Sequence, residues 1–153
     1  NHAQVFLQGV KISTRLIKDS YPDYEKVIPK DNDKEVKVNT KKLTNSLKRV
    51  SVFSNKKTKQ ATLIIKQGSI EIKSEDTETA ASAKEKIECI QKGEEEITIA
   101  FNGDYLKEIL EKTKTEETSL IIKDALSAAL IIPKEENKKT TKLSLLMPIR
   151  LNW

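Results

Sequence analysis

Apolar and polar residues alternate in short blocks along most of this chain, and two stretches replace the alternation with a helical period. Ala3, Val5 and Leu7 alternate, and Val10 and Ile12 resume after Gly9. That pattern predicts one strand with a bulge, or a hairpin arm whose partner lies upstream. Alternating or continuous β-rich runs predict strands at 34–38, 60–66, 69–75, 84–91, 95–101, 117–123, 126–132 and 142–150. Gly68 between Leu63-Ile64-Ile65 and Ile70-Ile72 is hairpin chemistry. Leu43, Leu47 and Val50 recur at i, i+4 and i+7 and predict a helix over 40–53. Leu106, Ile109 and Leu110 predict a second helix over 103–113. Asn39 and Asn102 stand where N-caps belong, each with a side-chain oxygen able to accept from the free amides of the first turn. Between Asp19 and Asp33 the pattern fails. Pro22 fixes its own φ and keeps Tyr21 out of helix, so this stretch reads as an irregular crossing. The charge run Lys134-Glu135-Glu136-Asn137-Lys138-Lys139 reads as a solvated loop.

The predicted elements come in two copies. Val36-Lys37-Val38-Asn39 with Leu43 and Leu47 returns 63 residues later as Ile99-Ala100-Phe101-Asn102 with Leu106 and Leu110. Leu63-Ile64-Ile65-Lys66 returns 57 residues later as Leu120-Ile121-Ile122-Lys123, which fits a shorter loop after the second helix. A repeat of this length is one supersecondary unit used twice, each copy covering the other's apolar face. The fold class is α+β: a duplicated strand–helix–strands unit with two helices on one face of antiparallel sheets. Such a unit is more often a scaffold or binding platform than a catalytic fold.

Composition narrows the function further. At 153 residues the chain suits one well-buried domain. Aromatics are 5% of residues, so the core is mostly Ile, Leu and Val. The single histidine, His2, sits at the start of the chain, a poor place for a general base or metal ligand. Gly9, Gly68, Gly93 and Gly103 are too scattered for a phosphate-cradling loop. Carboxylates lie in runs such as Glu94-Glu95-Glu96, which favours a solvated edge over an acid–base pair. These features argue against an enzyme and imply no cofactor. One cysteine, Cys89, excludes an internal disulfide and is compatible with a reducing cytoplasm. No apolar run approaches the ~20 residues of a membrane span.

A net charge of +5 permits a polyanionic partner. The first helix places Lys41 and Lys48 opposite its apolar stripe, with Lys42 and Arg49 flanking, and no acidic residue occurs from Thr40 to Phe53. On residues alone this face reads either as phosphate-facing or as a solvated lysine-rich surface. The second helix mixes Asp104, Glu108 and Glu111 with Lys107, Lys112 and Lys114, which favours internal pairing. Nothing supplies base-specific readout, so nucleic-acid contact would be sequence-blind and salt-sensitive.

Three segments in order resemble one family. Arg15-Leu16-Ile17-Lys18-Asp19-Ser20-Tyr21-Pro22-Asp23-Tyr24-Glu25-Lys26-Val27-Ile28-Pro29 resembles the entry to the last domain of the bacterial sliding clamp, the β subunit of DNA polymerase III. Ile99-Ala100-Phe101-Asn102-Gly103-Asp104-Tyr105-Leu106 resembles its FN-x-x-YL segment, and Leu145-Leu146-Met147-Pro148-Ile149-Arg150-Leu151 its MPIRL terminus. The resemblance implies the DNA clamp fold and a non-enzymatic ring. In that family two three-domain chains close head to tail around duplex DNA, and partners dock a short peptide in a groove between the second and third domains. Residues 1–16 would be the last strand of the preceding clamp domain, and 17–153 the C-terminal domain.

By position, the implied groove residues are Pro22, Lys26, Val27, Asn102, Tyr105, Leu126, Leu145, Leu146, Met147, Pro148, Ile149, Arg150 and Leu151. Pro22, Val27, Leu145 and Met147 would offer an apolar pocket. Asn102 and Tyr105 would hydrogen-bond an extended backbone, and Arg150 would hold a carboxylate or carbonyls. The DNA-facing residues would be Lys41, Lys42, Lys48, Arg49 and Lys107. The ring interface would use Val50, Val52 and Phe53, with a strand near Lys84–Ile90. Lys26 stands where the family often has Arg, Ala128 where a hydroxyl can occur, and Asn152-Trp153 extend past the usual end. Implied partners are duplex DNA, polymerase III subunits, the clamp loader and other clamp-binding-motif proteins, in the cytoplasm. The full protein would be a homodimer, and this chain alone a monomer. The competing expectation is a basic, sequence-independent nucleic-acid-binding module acting through the first helix.

Overall fold

The computed structural model describes residues 1–134 and 142–151. All but the first residue of the charge run 134–139 lies outside the described residues, as does the Asn152-Trp153 extension. The chain opens with a hairpin, β1 (His2–Leu7) and β2 (Val10–Arg15). After the crossing come β3 (Lys34–Asn39), α1 (Thr40–Val50), β4 (Gln60–Lys66), β5 (Ser69–Asp76) and β6 (Ala81–Gln91). The second copy follows as β7 (Ile97–Asn102), α2 (Gly103–Glu111), β8 (Glu117–Ile122), β9 (Ala129–Pro133) and β10 (Ser144–Leu146). Eight strands form one antiparallel sheet in the order β10-β9-β8-β3-β6-β5-β4-β7.

The internal repeat is written into the register. Val36 pairs with Leu120 across β3 and β8, and Ile99 pairs with Leu63 across β7 and β4. These are the same pair moved by the two repeat offsets. The helix entries match as well: Thr40 N–H donates to Glu116 O at 2.8 Å, and Gly103 N–H to Lys59 O at 2.7 Å. Each copy therefore completes the other's sheet, which is why neither unit could bury its apolar face alone. β6 forms one corner of the sheet. Its first part pairs with β5, and Cys89–Gln91 turn to pair with β3. Among the described residues the opposite corner is closed by a single bridge, Ile149 to Ala100, with Ile149 N–H donating to Ala100 O at 2.7 Å.

The core lies between the sheet and the two helices. Leu43, Leu47 and Val50 of α1 and Leu106 and Leu110 of α2 are buried against Val36, Leu63, Ile72, Ile99, Phe101 and Leu120. Burying each such Leu or Ile contributes roughly 1.5–3 kcal/mol. Both asparagine caps form as expected. The Asn39 side chain accepts from Lys42 N–H, and the Asn102 side chain from Asp104 and Tyr105 N–H. Gly103, at the first position of α2, leaves no room for a side chain: a Cβ there would stand 2.9 Å from Ser51 Oγ and 3.3 Å from Lys59 O.

Several boundaries differ from the sequence expectation. The opening stretch is a complete hairpin whose two arms both lie in this chain, because Gln8 and Gly9 take φ of 28° and 86° and close a tight turn. The first helix is α-helical only to Val50 and then tightens into a 3-10 turn, Ser51–Phe53, closed by Ser54 Oγ donating to Ser51 O. The second ends at Glu111, where Thr113 Oγ1 donates back to Ile109 O. β9 starts at Ala129 rather than 126, since Asp124 Oδ1 accepts from the N–H groups of Leu126 and Ser127 and folds those residues into a turn. The last strand is three residues long, and Pro148 withholds a donor before the bridge at Ile149.

Candidate peptide groove and flanking surfaces

The residues expected to form a groove fall into two clusters. One is built where α2 meets the last strand. Tyr105 lies in the first turn of α2 and stands 60% exposed, one helical turn before Ile109. With Glu108, Ile109, Lys112, Lys142 and Ser144 it lines a cleft of about 300 Å³. Met147 follows β10 and is also 60% exposed. Ile149 is held to β7 two residues before Asn102, with Pro148 half-buried beside it and Arg150 exposed. Leu145 and Leu151 are half-buried.

The second cluster rides on the crossing and on the β8–β9 loop. Pro22, Lys26 and Val27 surround the 3-10 turn Tyr24–Lys26, and all three are exposed. Lys26 Nζ pairs with Asp23 at 3.0 Å and lines a separate shallow depression with Glu25, Ile28, Pro29 and Lys30. Leu126 projects from the β8–β9 loop at 59% exposure. Val27, Leu126, Tyr105 and Met147 are all exposed, at 65%, 59%, 60% and 60%.

Two groove expectations need correction. Leu146 is a core residue, because strand alternation sends it inward between Leu145 and Met147. The Asn102 carboxamide is committed to its own chain. Its oxygen accepts from Asp104 and Tyr105 N–H at 3.0 and 3.2 Å, and its nitrogen donates to Thr58 O at 3.3 Å.

The basic face of α1 is less free than its sequence suggests. Acids absent from the helix arrive from β6 and α2. Arg49 grips Glu85 through Nε at 2.6 Å and Nη2 at 2.7 Å. Lys48 pairs with Glu111 at 2.9 Å, Lys42 with Glu88 at 3.1 Å, and Lys107 with Asp104 at 2.8 Å. The Arg49 hydrogen bonds, with a smaller contribution from the Ser46 hydroxyl, pull the Glu85 carboxyl down to about 2. The Lys48 bond likewise lowers Glu111, and the Asp104 bond raises Lys107. Of the five expected DNA-facing residues, Lys41 alone has no ion pair among the described residues. Lys41, Lys48 and Lys114 rim an open cleft of about 530 Å³ between the two helices.

Of the expected ring-interface residues, Val50 is buried in the core and unavailable. Val52 is 77% exposed and Phe53 is partly so, on a turn that packs beside β5 and β6. The β6 segment Ala81–Glu88 pairs with β5 on one side only, because β3 reaches only Cys89–Gln91. Among the described residues its other edge is open, with Lys84 and Lys86 exposed in the manner that keeps unpaired edges from aggregating. Tyr21 and Tyr24, which the sequence gives no site role, form an edge-to-face pair with ring centroids 6.3 Å apart. Both are exposed around Pro22, and their only signal was two aromatics flanking a proline in an otherwise polar crossing. Among the described residues no helix is long and apolar enough to cross a membrane.

The duplicated unit, the eight-stranded sheet and the paired helices define a DNA-clamp-fold domain. The family model described as DNA polymerase III beta subunit, C-terminal domain, matches residues 25–150. The chain belongs to that family. It is 28% identical over 151 residues to the beta sliding clamp of Haemophilus influenzae and 31% identical over 151 residues to that of Pseudomonas putida. Each alignment covers 99% of this chain and 40% of the relative, so the chain spans about two fifths of the length of the curated relatives it matches. Among solved structures, the sliding clamp of Bartonella birtlesii bound to griselimycin superposes with a TM-score of 0.87 at 28% identity, covering 98% of this chain and 39% of that one. The beta subunit of Thermotoga maritima superposes at 0.84 and 28% identity, covering 99% and 40%.

Proposed function

We propose that this domain is the C-terminal part of a ring-shaped replication clamp that encircles duplex DNA without reading its sequence and tethers DNA enzymes through a peptide groove. The observation that carries the reading is the exposed apolar set Tyr105, Met147, Leu126 and Val27 on a chain of this family. In this reading Met147 and Val27 receive an aliphatic or aromatic anchor, Met repacking around it, while Tyr105 and Arg150 meet its polar groups. The α1–α2 face turns toward DNA. Lys41, Lys48 and Lys114 lie where a phosphate backbone would pass, and the ion pairs of Lys42, Arg49 and Lys107 hold the local charge low enough to slide rather than grip. Val52, Phe53 and the open edge of β6 receive a second protomer. Catalysis is no part of the role. Clamps and polymerase subunits named for the relatives support these partners by likeness.

The test is a ¹⁵N NMR titration of the chain with a peptide of the Gln-Leu-x-Leu-Phe type. Shifts concentrated on Tyr105, Leu126 and Leu145–Leu151 are expected. An unperturbed spectrum at millimolar peptide, together with salt-steep binding of duplex DNA lost on changing Lys41, would instead support a stand-alone nucleic-acid module.

A further inference from the structure

The β8–β9 hairpin is held open where Leu126 projects. Its last ladder pair is Ile121 with Leu130, and the residues between them run out into a loop. A single side chain from elsewhere spans the mouth of that loop. Asn32 Nδ2 donates to Ile121 O at 3.0 Å and to Ala128 O at 2.9 Å, one carbonyl on each side of the opening. Two carbonyls can only be met by the amide nitrogen, so the orientation of the carboxamide is dictated by its partners. Its oxygen is buried without a hydrogen-bond partner among the described residues. A buried orphan acceptor is unfavourable, so it is the two donated bonds that keep Asn32 in this place. The neighbours of Asn32 grip the same loop. Asp31 pairs with Lys123, and Lys34 Nζ donates to Lys123 O at 2.8 Å. Inside the loop, Asp124 accepts from Leu126 N–H and Ser127 N–H at 2.8 and 2.7 Å and fixes the tip.

Asn32 also lies five residues after Val27, on the same crossing that carries Pro22 and Val27. It thus joins the two segments that present the second cluster. We propose that Asn32 is a positioning residue for peptide docking, setting the place of Leu126 relative to the crossing by acting as a substitute rung across the β8–β9 mouth. This rests on the groove reading given above. Asn32 touches no peptide itself; it acts through Leu126.

A double-mutant cycle with the Gln-Leu-x-Leu-Phe-type peptide tests this, read by NMR titration of the chain. Asn32→Ala weakens binding about five- to tenfold, equivalent to about 1–1.4 kcal/mol. In a Leu126→Ala background the same change has no further effect, because the residue acts through that side chain. A general loss of structure would be additive instead. With the mouth released, amide exchange of Leu126 and Ser127 should be faster in Asn32→Ser, a milder variant that serves if Asn32→Ala does not fold, than in the parent chain; unchanged exchange counts against the proposal. Unchanged affinity in Asn32→Ala, or equal losses in both backgrounds, overturns the proposal while leaving the groove intact. Parent chain that shows no peptide shifts at all overturns the groove reading, and this inference with it.

Discussion

The two helix caps offer an internal control, because the repeat places the same residue in the same position twice. Asn39 and Asn102 both cap, but they do unequal amounts. Asn39 accepts one bond, from Lys42 N–H at 2.9 Å. Asn102 accepts two, from Asp104 and Tyr105 N–H, and donates a third to Thr58 O. Replacing a capping Asn with Ala costs about 1 kcal/mol in the ordinary case, which is the expected loss for Asn39→Ala. Asn102→Ala gives up the second amide and leaves the Thr58 carbonyl to water, so its loss is about 2 kcal/mol. For a domain of this size each kcal/mol lowers Tm by roughly 2–4 °C. Melting should therefore fall by about 3 °C for Asn39→Ala and about 6 °C for Asn102→Ala, measured by circular dichroism and checked by urea unfolding. The larger loss should also loosen Tyr105, since the cap holds its amide, and weaken peptide binding. Equal losses, or a larger one at Asn39, would refute the count of bonds as the source of the difference.

Other expectations follow from burial and charge. Phe101→Ala, at the largest fully buried side chain, should cost about 3–5 kcal/mol in urea unfolding. Val52→Asp should leave the unfolding free energy of this chain within about 0.5 kcal/mol of the parent, because Val52 is 77% exposed; in the ring proposed above, the same change should block closure with a second protomer, read by sedimentation. Glu85 sits at about 2 in the folded chain against an ordinary 4.5. Its contribution is thus complete above pH 4.5 and lost as pH falls toward 2. The stability gap between the parent and Arg49→Ala should shrink over that window and be smaller in high salt, since Arg49 is mostly exposed.

The repeat was legible because it is carried by core residues. Val36, Leu63, Ile99 and Leu120 must keep their period whatever the surface does, so both strand pairings could be read from spacing. Helix caps were legible because an N-cap is a local interaction. What escaped was set either by local turn conformations without a clear residue signature or by contacts distant in sequence. Gln8-Gly9 is not a common turn pair, so a complete hairpin read as one bulged strand or as a single hairpin arm with its partner upstream. Asp124 took 126–128 out of β9 with a side-chain turn. The acids that neutralise α1 sit on β6 and α2, and no window along the helix contains them. Among the residues expected to line a groove, Tyr105 and Met147 are exposed, but alternation over three residues of β10 turned Leu146 inward.

The two corners of the sheet are unlike in strength. At one, β6 runs eleven residues and joins both halves without a break. At the other, the circuit is completed among the described residues by one amide, Ile149 N–H on Ala100 O. A loop of strands under thermal strain parts at its weakest rung, so native-state fluctuation should start with Ile149 leaving β7 while the rest of the sheet stays shut. The Ile149 amide should then exchange with solvent well before those of β3 or β4. An incoming extended segment that sought the Ala100 carbonyl would contend with the chain's own tail for it. Fraying and docking at that corner would draw on a single equilibrium, and stiffening the tail would slow both.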